Sequence, residues 1–298
     1  MAKRLLVMLS SLTLLGIITP ARATAVSLDS STRTCLQKAI GKSATQKIAK
    51  AKRLTASQQK SVDACKAVDA VVTWVHSPSG WISSSKPPKC VSEQFNSPVD
   101  LSLADSRLLP GQWRGDRGNL DHYKVSGGLG FAQSTGGSVE VRIPVDAWIY
   151  QAYRYTEGGE LQIGFDLVVP CGWVIRIDHL AEVTPEISKI LSVLPPPREG
   201  DSRVTSIAPV KIASGTVVAT KVGFPSQRNY FFQYGLFDVR KRNNVATNNA
   251  NFRNEFTSRS EWAYHGVCWF DLLPDQQKAA ARALPSRDPN LSSDYCAP

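Results

Sequence analysis

From residue 139 onward, apolar side chains recur at every second position: Val139, Val141, Ile143 and Val145 point one way, and Glu140 and Arg142 the other. A repeat of two belongs to a strand with one face in a core and one in water, whereas a helix needs apolar residues every three or four. Trp148, Tyr150 and Ala152, with Ile149 and Tyr153 on the alternate positions, continue the pattern. Further strands are expected over 161–168, 173–178, 215–222 and 230–239, with turns at Gly158-Gly159 and Pro170-Cys171-Gly172 between neighbours. Short strands at regular spacing predict a mainly β protein, an antiparallel sheet or sandwich, and about 200 residues suffice for one such core.

The first third of the chain is different. Residues 1–23 combine Lys3-Arg4, an apolar run from Leu5 to Ile18, and Ala21-Arg22-Ala23, the form of a cleaved export signal. As a helix that run spans about 21 Å, short of a bilayer core of roughly 30 Å. From Thr34 to Val75 the apolar residues Leu36, Ile40, Ile48 and Leu54, then Val62, Cys65, Val68 and Val72, fall at helical spacing. Residues 24–76 are therefore expected as a helical hairpin, its first helix interrupted at Gly41 and its second opened by a capping box, Thr55 to Gln58. Residues 77–98, rich in Ser, Pro and Lys, read as a linker into a β domain over 99–298 that closes with a short helix from Pro274 to Leu284.

Charge and cysteine follow the same division. Residues 24–90 carry 11 Lys and Arg against 3 Asp and Glu, or +8, whereas residues 91–298 carry 21 against 22. A basic segment of an exported chain favours anionic polymers such as wall glycans, teichoic acids or headgroups, and argues against nucleic acid. The six cysteines Cys35, Cys65, Cys90, Cys171, Cys268 and Cys296 lack Cys-x-x-Cys spacing and suit disulfides in an oxidising compartment. The expected pairs are Cys35 with Cys65, on adjacent helices, and Cys268 with Cys296, bracketing the terminal helix; Cys90 with Cys171 follows by elimination.

Residues 161–240 carry a further pattern. Two strands lead to Val174-Ile175-Arg176-Ile177-Asp178-His179-Leu180; a helix, a Pro-rich turn and a hairpin around Val210-Lys211 follow, and Tyr234-Gly235-Leu236-Phe237-Asp238-Val239-Arg240 closes the series. This order resembles the lysostaphin/LytM-type zinc endopeptidases, which cut peptidoglycan cross-bridges. Their closing motif, His-Leu-His-Phe-Glu-Val-Arg, has Tyr234 and Leu236 here in place of both histidines. The early His-x-x-x-Asp is also missing: His122 is followed four residues later by Ser126. The resemblance, over about residues 110–245, implies a LytM-like β scaffold in which His179 matches the middle histidine.

A catalytic zinc needs about three protein ligands and an open water position, so the expectation is no metal cofactor and no catalysis. His179 is left as the candidate remnant of a catalytic group. Arg176, Asp178, His179, Tyr234 and Asp238 are the candidate binding residues of the old cleft, with Asp238 and Arg240 also expected to anchor the last strand. The function implied is a secreted, periplasmic or extracellular, noncatalytic peptidase-like protein, a pseudoenzyme that binds peptidoglycan, another anionic wall polymer or a wall-associated protein. Its rivals are an active zinc endopeptidase with a site rebuilt from His122, His179 and His265, and a secreted structural protein without activity. Asp166 and Asp178 have the types for acid–base work, but their alternation with Phe165, Leu167 and Ile177 predicts a solvated sheet face. Tyr153, Tyr155, Trp148 and Trp173 could line a sugar-stacking surface, although aromatic residues on strands more often fill cores.

Overall fold

The structure is a computed structural model describing residue 28 and residues 30–51, 53–69, 71–77, 80–114, 122–256, 262–289 and 292–296. The export signal expected at 1–23 lies outside the described residues. Two compact units divide the chain, residues 1–63 and 64–298.

The first unit is helical: α1 (Ser30–Ile40), α2 (Lys42–Lys50) and the opening turns of α3 (Ala56–Asp69). Gly41, at φ 84, separates α1 from α2 and takes a left-handed conformation that side chains resist. The Thr55 capping box forms in both directions. Gln58 N–H donates to Thr55 Oγ1 (3.2 Å), and Thr55 N–H donates to Gln58 Oε1 (2.9 Å). Leu36, Ile48 and Val62, three of the apolar positions at helical spacing, are buried.

The second unit is mainly antiparallel β. A hairpin of β1 (Trp74–Ser77) and β2 (Gly80–Ser83) comes first, so β2 falls inside the stretch read as a linker. Next come β3 (Ala104–Leu108), a separate ladder of β4 (Gln112–Arg114) with β5 (His122–Lys124), then β6 (Gly127–Phe131), β7 (Ser138–Arg142), β8 (Ala147–Glu157), β9 (Glu160–Val169) and β10 (Trp173–Val183). After α4 (Pro185–Ile190) the chain returns as β11 (Thr205–Ile212), β12 (Val217–Val222) and β13 (Phe231–Asp238). The short helices α5 (Val245–Asn248), α6 (Ala250–Glu255) and α7 (Asp275–Ala283) complete it. Among the described residues one nine-stranded sheet runs β11-β8-β9-β10-β13-β6-β3, with β12 joining β10 to β7.

Gly158 and Gly159, at φ 60 and 80, close the β8–β9 hairpin in the conformation that two-residue turns demand. β11 is an edge strand, paired only with β8 among the described residues, and the edge position with its register shift accommodates Pro209.

One sheet face carries Ile149, Phe165, Leu167, Ile175, Ile177 and Phe232 into the main core. Ile187 of α4 and Trp269 and Phe270 of the C-terminal segment close over it. On the opposite face, a smaller cluster of Val168, Val174 and Phe237 packs against Val72 and Trp74 at one end of the strands. The 77–98 stretch reaches both clusters: Phe95 meets Trp173 edge-on at 5.3 Å, and Trp81 lies 4.7 Å from Trp262. Cys90 bonds Cys171 and Cys268 bonds Cys296; Cys35 and Cys65 are disulfide-bonded too, so no cysteine is free.

Candidate functional site

The sheet changes partners at one residue. Along one edge of β10, Trp173 to Asp178 pair with β13, whereas Leu180 to Val183 pair with β12. On the other edge the step from Ile177 to Leu180 is matched by only two residues of β9, Phe165 to Ile163, which is a bulge. His179 sits at this corner with φ 61, one of two non-glycine residues at positive φ among those described. That conformation costs an L side chain about 1–2 kcal/mol, and three backbone and side-chain contacts hold it. The His179 N–H donates to Asp178 Oδ1 (2.7 Å), its carbonyl accepts from the Gly223 N–H (2.8 Å), and its ring packs on Phe224 (5.0 Å).

The imidazole is aimed by its neighbours. Nδ1 lies 3.3 Å from Gln162 Oε1 and 3.5 Å from the Tyr155 hydroxyl. Gln162 is fully buried and its amide donates to the carbonyls of Leu161 and Gly223 (3.1 Å each), which leaves Oε1 as its acceptor. His179 therefore carries its proton on Nδ1 when neutral, an assignment that rests on this network. Nε2 keeps a lone pair with no partner among the described residues, on a half-buried side chain. Burial first, then the charge of Asp178, raises the Tyr155 phenol well above its ordinary range, so it stays protonated, and its oxygen can accept from Nδ1.

Beside this corner lies a paired charge. Arg176 donates from Nε and Nη2 to the two oxygens of Asp166 (2.8 and 2.9 Å), and its guanidinium lies 5.1 Å from the Trp262 ring. Asp166 holds the Arg176 guanidinium charged against the opposing cost of burial, which is the largest single influence on it. Asp166 is 0% exposed and Asp178 8%, so the solvated face expected for them is covered instead. The covering is aromatic: Tyr153 lies flat on Gly164, whose absent β-carbon would meet the tyrosine Cζ at 2.3 Å. Alternation in sequence marks which residues share a face; it does not say that the second face stays wet.

The predicted site residues separate into three places. Arg176, Asp178 and His179 gather at the corner of β10. Tyr234 pairs with Ile177 in register and so faces the main core, 1% exposed and edge-on to Trp269 at 4.9 Å. Its hydroxyl has no partner among the described residues, and burial raises its pKa well beyond the usual phenol range. Leu236 also enters the core, so the two positions that match the family's closing histidines point away from the Asp178 face. Asp238 lies at the far end of β13 opposite Trp173, where Arg240 Nε (2.7 Å) and Lys241 Nζ (3.6 Å) reach it, the anchoring contact expected of it.

Two of the other histidines have partners away from this corner. His265 is buried, its Nδ1 on the carbonyls of Asp238 (3.0 Å) and Lys241 (2.7 Å), and burial lowers its pKa. His76 is in β1, edge-on to Trp81 at 5.6 Å. His122 is in β5, and its side chain lies outside the described residues. Among the described residues no three His, Cys, Asp or Glu side chains gather as a metal site. Among the described residues the side-chain groups at hydrogen-bond distance of His179 are Tyr155, Asp178 and Gln162, and the corner can accept or present a hydrogen bond. Gln162 and Tyr155, which set the ring, were not foreseen as members of the site; their only signal is a strand register visible once β8, β9 and β10 are aligned.

No protein-family model, no curated protein and no solved structure matches this chain.

Proposed function

We propose that this chain is an exported, noncatalytic binding protein whose His179 corner contacts a polar polymer of the cell wall, peptidoglycan or an anionic wall glycan, or a protein associated with it. One observation carries the reading: His179 is kept in a costly backbone conformation with Nδ1 tied and Nε2 open, on the strand where the sheet switches partners. Strain retained at a half-buried polar group with an open nitrogen is a pointer to use. The disulfides fit an oxidising compartment, and among the described residues no helix is long and apolar enough to cross a membrane. The basic 24–90 segment would add a salt-screened attraction to anionic chains. On this reading the β domain is a lysostaphin/LytM-like scaffold without its ion, a view supported by the adjacency of the strand bearing His179 and the closing strand.

Sedimentation with purified peptidoglycan at low salt tests it. Wild type should enter the pellet, His179→Ala about fivefold less, consistent with losing a hydrogen bond worth about 1 kcal/mol. Wild type remaining in the supernatant would refute the reading. So would wall digestion with stoichiometric zinc that His179→Ala abolishes, which is the outcome of the peptidase alternative.

A further inference from the structure

A cleft opens at the other end of β10, about 20 Å along the strand from His179 at about 3.3 Å per residue. It has a volume of about 750 Å³ and lies between α5, α6, the 266–272 segment and the C-terminal residues Asp294 and Tyr295. That volume is within the range of small-molecule sites, roughly 300–1,000 Å³. Trp173 and Tyr295 are among its lining residues, and the indole Nε1 of Trp173, a residue 3% exposed, has no hydrogen-bond partner among the described residues.

The polar lining is unusual in what it leaves free. Every charged group on it is already engaged. Glu93 accepts from Arg240 (3.0 Å), Asp271 from Arg282 (2.5 Å), Asp294 from the Asn249 amide (2.9 Å), and Lys241 sits 3.6 Å from Asp238. Two asparagines build the wall. Asn243 donates to the carbonyls of Ala263 (2.8 Å) and Gly266 (3.1 Å), and Asn249 accepts from the Phe252 N–H (3.1 Å) at the start of α6. The three that remain, Asn244, Asn248 and Asn251, are exposed along the rim, and their carboxamides make no side-chain hydrogen bond among the described residues.

Each free carboxamide offers two donors and an acceptor without net charge, the complement of adjacent sugar hydroxyls, which both donate and accept. An anionic ligand would meet Glu93, Asp271 and Asp294, while Lys241, the one cation among the described lining residues, already sits beside Asp238. We infer that this asparagine-rimmed cleft is a binding site for a neutral oligosaccharide, independent of the His179 corner. The rim amides would take the hydroxyls.

Calorimetric titration of the full disulfide-bonded chain with neutral tetrasaccharides, cellotetraose and the N-acetylglucosamine tetramer, tests the site. A sulfated oligosaccharide and an Asn-rich peptide serve as comparisons. At least one neutral tetrasaccharide should bind saturably. Asn248→Leu with Asn251→Leu, at exposed positions without side-chain partners, should keep the wild-type thermal midpoint and weaken binding about tenfold or more, since each neutral hydrogen bond is worth about threefold to tenfold. His179→Ala should leave this binding unchanged, so the cleft can stand or fall apart from the wall-binding corner. The inference is overturned if neither tetrasaccharide binds at millimolar concentration, if the double variant binds as wild type does, or if His179→Ala removes the binding. Preference for the sulfated sugar or the peptide, lost in the double variant, would also overturn it.

Discussion

Replacing His179 by glycine and by alanine separates the strain at this corner from the chemistry of its ring. Both variants delete the imidazole, its contact with Phe224 and its hydrogen bonds to Gln162 and Tyr155. Only alanine retains the cost of a β-carbon at φ 61, about 1–2 kcal/mol. Glycine escapes that cost but gives the unfolded chain more freedom, a penalty of about 0.4–1 kcal/mol. The difference leaves His179→Gly more stable than His179→Ala by about 0.5–1 kcal/mol. Urea unfolding with the disulfides intact reads the difference as a shift in midpoint, about 0.2–0.5 M for a slope near 2–3 kcal/mol per molar. Wall binding should fall equally in the two variants, because neither presents Nε2. If alanine proves as stable as glycine, the backbone at 179 is not strained, and the argument from strain to function fails. If glycine retains wild-type wall binding, the ring is not the contact.

Other consequences are open to direct measurement. Removing one partner of the Asp166–Arg176 pair leaves a buried charge alone, so Asp166→Asn should lower unfolding free energy by about 3 kcal/mol, while replacing both partners by apolar residues of similar size recovers most of it. Burial lowers the His265 pKa below the unfolded value of about 6.5, so the unfolded chain takes up the proton first. Its contribution is complete above pH 6.5 and is lost as pH falls from there toward the folded pKa; the drop in thermal midpoint from pH 7.5 to 5 should shrink in His265→Asn. Opening the Cys268–Cys296 bridge, 28 residues apart, by double serine substitution should cost about 3 kcal/mol in chemical unfolding.

Much of the sheet could be read from period and punctuation. The alternation through 139–153 and the glycine pair at 158–159 gave β7, β8 and the turn into β9 because a half-buried strand and a left-handed turn each demand particular residues. Thr55 and Gln58 marked the start of α3 for a similar local reason. Non-local pairing was out of reach. That β10 leaves β13 for β12, and extends five residues beyond the expected Asp178, follows from a bulge whose residue is a histidine, and histidine at positive φ is too uncommon to anticipate. The stretch 77–98 has a linker's composition, yet Phe95 fills a place in the main core that no local pattern reserves for it.

The two candidate sites differ in how they were hidden. At the β10 corner the residue type was noticed, but two of its neighbours come from strands whose register only folding fixes, so Gln162 and Tyr155 could not be joined to His179 on paper. Tyr234 misled for the converse reason: a motif alignment assigns it the place of a ligand, while period-two geometry, applied from Asp178 through its partner Gln233, already puts it on the core face. At the cleft the signal lay in the open. Asn243, Asn244, Asn248, Asn249, Asn251 and Asn254 crowd one short segment, and asparagine favours turns and helix caps over helix interiors. Two of them do cap and brace α5 and α6. Three further carboxamides around the same hollow make no side-chain hydrogen bond among the described residues, and that surplus over what the turns need is the signal from which the binding rim is inferred.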